Sequence, residues 1–255
     1  MRRIVFAFAA FMFSLGCSEQ RAERLEWTTM GTVAAVQFKG GDSDAGREAV
    51  GAARETFREV EKLLNAHDPD SELNRLAKFP DEEILRRCDP EVRDCYAAAF
   101  RLRDLTGGRF DPRWRGPGTL DLGAIAKGFA VDLACEKIYA GKGETLVDLG
   151  GNLKAVSGRW RTLVAKTAQT LVLTGGMACA TSAEYFRGSH IRDAKSGAPV
   201  KRSRHSVTVV HPSSAMLADG LSTVMFILGR ERGEDFLRRF HPEARAIWSQ
   251  YGETP

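Results

Sequence analysis

Several groupings that would assign this chain at a glance are missing. Its five cysteines and five histidines form no CxxC pair and no Cys/His cluster, which argues against a structural zinc site. There is little charge of one sign: 37 basic against 33 acidic side chains leave a net +4, part of it in Arg2 and Arg3. The electrostatic footprint of a nucleic-acid binder is therefore absent. No linker, internal repeat or low-complexity segment divides the 255 residues, which are enough to bury a substantial core as one domain. What remains, 43% hydrophobic and 27% charged residues, is the composition of an ordinary soluble globular protein.

A long apolar run is missing too. Arg2-Arg3 precede the thirteen residues from Ile4 to Gly16, too few to span a bilayer but suited to a secretory h-region. The run ends Ser14-Leu15-Gly16-Cys17, which is similar to a bacterial lipobox. Residues 1–17 are thus expected to be a signal peptide and residues 18–255 the domain. The chain is expected on the periplasmic side of a bacterial membrane, lipid-anchored at Cys17. In that oxidising compartment Cys88, Cys95, Cys135 and Cys179 could pair, with three possible connectivities; for Cys135 and Cys179 buried free thiols are expected.

The stretch that organises the chain is Leu120-Asp121-Leu122-Gly123-Ala124-Ile125-Ala126-Lys127-Gly128. Residues 119–122 read as a short strand, Gly123 as a tight turn, and residues 124–139 as a helix, because Ala126, Phe129, Ala130, Leu133 and Ile138 recur at helical spacing. Gly128 suits a close approach by the first helical turn. A helix N-terminus presents unpaired N–H groups and Lys127 adds a full charge, so this turn suits a phosphate or pyrophosphate.

Around it, residues 26–38 read as extended chain with Gly31 inside, and residues 45–64 as a covering helix through Val50, Ala53, Phe57, Val60 and Leu64. Residues 65–74 are turn-rich, with Ser71 placed to cap a short helix. A second long helix starts at Pro90 behind Asp89 and stops at Gly107-Gly108. Residues 145–156 read as a strand bent at Gly150-Gly151, and 160–165, 169–173 and 207–210 as further strands. Residues 217–228 form an apolar helix and 232–240 a polar one. Long helices interspersed with hairpin-like strands predict an α+β domain.

Two further groups carry chemistry. Asp219 and Thr223 stand four apart on the apolar helix, so both oxygens project from one face, as two ligands of a hard cation that still needs phosphate oxygens would. In His190-Ile191-Arg192-Asp193 a histidine suited to general-base work near neutral pH precedes a turn.

Together these residues resemble the ApbE flavin transferases, enzymes that cleave FAD and attach FMN through a phosphoester to a Ser or Thr of an acceptor protein. The matching blocks run in family order: Met30-Gly31-Thr32, residues 70–76, Gly108-Arg109-Phe110-Asp111, residues 120–128 and 147–152, Thr181-Ser182, and residues 190–197 and 218–229. The resemblance implies a single ApbE-like α+β domain of mixed strands packed with long helices. It implies FAD contacts at Met30, His67, Arg109, Phe110, Asp111, Asp121, Lys127 and Ile191, with His67 standing where the family often has a tyrosine against the flavin ring. It also implies Mg²⁺ at the Ala124 carbonyl, Asp219 and Thr223, and His190 as the base. Ser189 replaces a frequent second histidine, Asp193-Ala194 replaces Asp-Pro, and residues 185–190 form a shorter segment than usual. The implied activity is Mg²⁺-dependent FMN transfer with release of AMP. The implied partner is an acceptor protein with a Ser/Thr site, such as a membrane redox subunit. Two alternatives are Mg²⁺-dependent hydrolysis of FAD to FMN and AMP, and a non-catalytic periplasmic FAD-binding lipoprotein.

Overall fold

The computed structural model describes residues 22–40, 43–138, 140–164, 167, 169–183, 191–201 and 205–250. Cys17 and His190 lie outside them. The first half of the chain gives β1 (Glu23–Thr29), β2 (Thr32–Lys39), α1 (Ser43–Leu64), α2 (Glu72–Leu76), α3 (Asp81–Arg87), α4 (Arg93–Leu105) and α5 (Ala126–Lys137). The second half gives β3 (Glu144–Leu149), β4 (Asn152–Ala155), β5 (Arg159–Leu163), β6 (Thr170–Thr174), β7 (Ala178–Ala183), β8 (His205–His211), α6 (Ala215–Leu228), α7 (Arg230–Phe240) and β9 (Arg245–Gln250). Seven strands form one antiparallel sheet in the order β1-β2-β3-β4-β7-β8-β9, and β5 pairs with β6 in a separate hairpin. This is the expected α+β domain.

Alternation along the strands shows that both faces of the central sheet are covered. In β3, Val147 and Leu149 join the main core with Phe57, Phe129 and Met225 of the helices, while Leu146 joins a smaller core with Trp160, Leu171 and Leu173 of the β5–β6 hairpin. β8 divides in the same way, Val207 and Val209 against Val210. α1 buries Val50, Ala53, Phe57, Val60 and Leu64, as its periodicity requires, and α6 is buried nearly all round, which is why its whole length reads as apolar.

The local signals at helix ends work as expected. Ser71 accepts the Asn74 N–H at 3.2 Å to cap α2, and Asp89 accepts the Glu91 N–H at 2.9 Å ahead of a 3-10 turn, Pro90–Val92, that leads into α4. Beyond α4 the Gly108 N–H returns to the Arg103 carbonyl at 2.9 Å.

Three expectations are corrected. Residues 26–38 are not one strand, because Met30 and Gly31 adopt φ of 48° and 66° and reverse the chain into the β1–β2 hairpin. Residues 145–156 fold back in the same way at Gly150-Gly151, with φ of 60° and 88°: two successive positive φ turn a chain rather than bend a strand. Residues 119–122 belong to no strand. Leu120 and Leu122 are buried with Asp121 facing the cleft between them, the alternation that suggested one, but the Asp121 N–H bonds the Pro112 carbonyl at 2.8 Å rather than a neighbouring strand. The pattern did not foreshadow α3, β7 or β9; β7 is built of Ala, Cys, Thr and Ser, short residues with weak strand preference as a set. Cys88, Cys95, Cys135 and Cys179 are buried free thiols. Burial pushes the thiols of Cys95 and Cys135 well up, and that of Cys179 up to about 12.

Candidate active site

A cleft of about 880 Å³ opens at one end of the central sheet. Its walls are the hairpin turns at Gly31 and Gly150-Gly151, the end of β7 at Thr181 to Ala183, the segment Phe110 to Arg115, the start of α5, and Asp219, Thr223 and Ile227 of α6. The expected residues His67, Phe110, Asp111, Asp121, Ala124, Lys127, Ile191, Asp219 and Thr223 all line it.

At its centre the start of α5 faces α6. Asp219 is only 6% exposed; its Oδ2 accepts the Gly128 N–H at 3.0 Å and lies 3.4 Å from Lys127 Nζ. Gly128 is the third residue of α5, so its N–H is one of the helix's orphan first-turn donors, and Asp219 takes it. The Ala124 carbonyl lies ahead of the helix, where Ile125 departs from helical geometry at φ −144°, and it has no hydrogen-bond donor among the described residues. Only glycine allows the approach: a Cβ on residue 128 would lie 2.6 Å from Ala215 C and 2.7 Å from Asp219 Cβ. Lys127 Nζ also donates to the Gly123 carbonyl at 2.9 Å. One turn along α6, Thr223 Oγ1 lies 3.3 Å from Ser182 Oγ, which is 2.8 Å from Ser222 Oγ.

Burial raises the Asp219 carboxyl above the usual carboxylate range, opposed by the Lys127 charge and the Gly128 N–H. The donors that meet here are a carboxylate, a hydroxyl and an unclaimed carbonyl. An all-oxygen set with one carboxylate fits a hard divalent ion that completes its shell on phosphate, and does not fit zinc. The residues expected to hold Mg²⁺ therefore suit it.

The turn before α5 is braced by Asp121, whose Oδ1 accepts the Gly123 N–H at 2.9 Å and whose Oδ2 meets Arg115 at 3.0 Å and Trp114 Nε1 at 3.2 Å. Asp111 accepts the Arg113 N–H at 2.8 Å, and Phe110 and Ile191 are buried. Two expected residues do not line the cleft. Met30 sits in the β1–β2 turn with its side chain partly buried against the core, while its neighbours Gly31 and Thr32 reach the cleft. Arg109 forms an ion pair with Asp193, and its carbonyl accepts the Ala194 N–H at 2.9 Å, so it ties down the segment that follows His190.

The cleft also contains residues to which sequence reasoning gave no role. Arg115 and Arg192 lie over the Trp114 ring, 4.9 and 5.8 Å from its centre. Arg24 meets Asp148 at 3.2 Å, and Asp148 also accepts the Gly151 N–H at 2.9 Å; burial raises its carboxyl. Asp148 and Ser182 both fall inside blocks that carried the family resemblance, which was the signal available for them. Nothing in the sequence marks Arg24, which reaches the cleft only because β1 is folded back on β2.

A large cleft with a lysine, a helix N-terminus and an oxygen donor set at its centre is suited to a pyrophosphate and its cation. The chain belongs to the ApbE family, whose model matches residues 30–116 and 113–248. Its relatives include FAD:protein FMN transferases of Haemophilus influenzae (33% identical over 134 residues, 44% of this chain and 38% of that protein) and Klebsiella pneumoniae (36% over 135 residues, 47% and 42%). The matched stretches span about two fifths of the length of these relatives. Two solved structures share the fold. The apo form of Pseudomonas stutzeri flavinyl transferase ApbE superposes with a TM-score of 0.72 at 24% identity, over 92% of this chain and 93% of that one. The flavin transferase ApbE from Vibrio cholerae gives 0.72 at 23%, over 91% and 95%.

Proposed function

We propose that this chain takes FMN from FAD and attaches it through a phosphoester to a Ser or Thr hydroxyl of an acceptor protein, releasing AMP. The observation that carries the reading is the Asp219 carboxylate, which holds the Gly128 N–H at the start of α5 in the same cleft as the Thr223 hydroxyl, the unclaimed Ala124 carbonyl and Lys127. Relatives named FAD:protein FMN transferase support it. Ala124, Asp219 and Thr223 would hold Mg²⁺, which when bound neutralises charge on a pyrophosphate. Lys127, at the positive end of the α5 dipole, would hold the phosphate oxygens, on a turn that Asp121 keeps in shape. Phe110, Ile191 and His67, which line the cleft together with Asp111, would offer apolar and stacking surface to the flavin. Arg109 acts through Asp193 on the segment that follows His190, and Met30 through the turn that presents Gly31 and Thr32.

In the step itself the acceptor hydroxyl oxygen bonds to the phosphorus of the FMN half, and His190 takes the hydroxyl proton. The bond from that phosphorus to the bridging oxygen breaks, and AMP leaves with that oxygen. The test is mass spectrometry of the products formed from FAD and Mg²⁺, with and without a candidate acceptor. A covalent FMN adduct is expected; FMN and AMP without adduct would mean hydrolysis, and unchanged FAD a flavin carrier. His190→Asn should slow single-turnover transfer by about 10²- to 10⁴-fold while FAD binding survives. Transfer at the wild-type rate would remove His190 from the mechanism. The reading includes export and a lipid anchor at Cys17, for which labelled palmitate should enter the wild type and not Cys17→Ser.

A further inference from the structure

The place of Asp219 against the start of α5 depends on where α6 stands along α5, and a second side chain fixes that position. Asp132 lies on α5 one turn beyond Gly128. Its Oδ1 accepts the Ala215 N–H at 2.8 Å and Lys154 Nζ at 2.7 Å; its Oδ2 accepts the Met216 N–H at 2.9 Å and the Ser214 hydroxyl at 2.8 Å. Ser214 is itself the N-cap of α6, accepting the Leu217 N–H at 3.0 Å. One carboxylate of α5 thus satisfies two orphan donors of the first turn of α6 and holds its capping residue as well.

Two contacts a turn apart set the axial position of one helix against the other. Gly128 lies against Ala215 and gives its N–H to Asp219, while Asp132 holds residues 214–216. Ala215, which Asp132 grips, and Asp219, which meets Gly128, are also one turn apart on α6. If the grip at Ala215 is lost, α6 can slide and Asp219 can draw away from Gly128. The carboxylate then draws away from the Ala124 side of the cleft as well, and the cation's ligands no longer stand together. Lys154, reaching from β4 and only 13% exposed, compensates the Asp132 charge and fixes its rotamer.

We propose that Asp132 is the positioning residue of the cation site: by clamping the first turn of α6 to α5 it holds Asp219 against Gly128, on the side of the cleft that presents the Ala124 carbonyl. This rests on the reading of Ala124, Asp219 and Thr223 as the cation's ligands. The experiment titrates Mn²⁺, a spectroscopic stand-in for Mg²⁺, into the full-length chain in detergent and follows loss of the free-ion EPR signal. It compares wild type, Asp219→Asn, Asp132→Asn, Lys154→Met and Leu173→Ala, with the melting temperature of each. Leu173 is fully buried in the smaller core under β5–β6, so Leu173→Ala lowers stability without touching α5 or α6.

Asp132→Asn should weaken Mn²⁺ binding by about 10- to 100-fold, the range found when the partner that orients a metal ligand is removed. Lys154→Met should weaken it less, and Leu173→Ala should lower the melting temperature with Mn²⁺ affinity kept. An Asp132→Asn chain that binds Mn²⁺ as wild type does, while Asp219→Asn does not, overturns this inference and leaves the cation reading standing. Equal weakening in Asp132→Asn and Leu173→Ala also overturns it, because the effect would then be one of stability alone. No uptake by the wild type would overturn both.

Discussion

Gly128→Ala sets two physical effects against each other with opposite signs. Helix propensity favours alanine over glycine in a helix by about 1 kcal/mol, so on local grounds the change stabilises. The α5–α6 contact opposes it. The new methyl would lie 2.6 Å from Ala215 C and 2.7 Å from Asp219 Cβ, and Ala215 is backbone that moves only if α6 moves. Overpacking of this kind costs about 1–3 kcal/mol. Displacing α6 also breaks the Gly128 N–H bond to the buried Asp219 carboxylate, and a hydrogen bond to a charged group is worth about 1.5–3 kcal/mol. The costs outweigh the propensity gain, leaving a net loss of about 1.5–5 kcal/mol. At about 2–4 °C per kcal/mol for a domain of this size, the melting temperature should fall by at least about 3 °C. Transfer by the variant should also need more Mg²⁺, because displacing α6 carries Asp219 and Thr223 away from the start of α5. Calorimetry in EDTA and a Mg²⁺ titration of FMN transfer check the two halves. A variant that melts at or above wild type with an unchanged Mg²⁺ requirement would refute the reasoning.

Asp219→Asn removes a buried charge. The folded carboxyl is raised, so its contribution to stability is present below the ordinary carboxylate range and lost as pH rises through the raised value. Above that value, without metal, the variant should therefore melt at or above wild type. Mg²⁺ at 100 times its Kd should stabilise wild type by about 2.7 kcal/mol, roughly 5–11 °C, and leave the variant unmoved; an equal response in both would misplace the site. His211 takes the Ser213 and Ser214 N–H groups on Nδ1 at 3.2 and 2.9 Å, and burial lowers its pKa below the usual 6.5. A lowered histidine stabilises above its ordinary pKa and loses that contribution as pH falls through the lowered value. Wild type should thus lose melting temperature on acidification below about pH 6.5, and His211→Asn should show a flatter acid limb by scanning fluorimetry. With four buried free thiols among five cysteines, native protein should resist iodoacetamide, and denatured, reduced protein should titrate four thiols if Cys17 carries lipid and five if it does not.

The long helices were legible because burial writes itself into their periodicity: α1 with one apolar face, α6 apolar throughout, α5 with small residues where it meets α6; α3, with seven residues, is too short to show one. The hairpins were not, because Met30-Gly31 and Gly150-Gly151 interrupt hydrophobic alternation too briefly to show whether the chain bends or reverses. That choice is made by pairing partners elsewhere, such as β3 for β2. The same division holds in the cleft. Asp219 and Thr223 could be read from their spacing, since a helix fixes which way both point. The unclaimed Ala124 carbonyl could not, because it follows from the non-helical Ile125 that separates it from α5. Arg109 falls in a block that marks the site, yet its long side chain spends its charge on Asp193.

The pairing of β2 with β3 also sets an order of events in folding. The ladder runs from Lys39 opposite Glu144 to Ala34 opposite Leu149, and everything from α1 to α5 lies between the two strands. The β1–β2 hairpin can form early from neighbouring residues, but a two-stranded hairpin is marginal in water. Its other edge must wait until the intervening helices have collapsed and brought β3 back, and non-local pairing of this kind is slow. During that interval Ala34, Ala35 and Val36, all fully buried in the finished sheet, stand on an open strand edge. A chain stalled there would meet a second chain through β2, which makes this strand the first place to look for the cause of aggregation in a poorly folding variant.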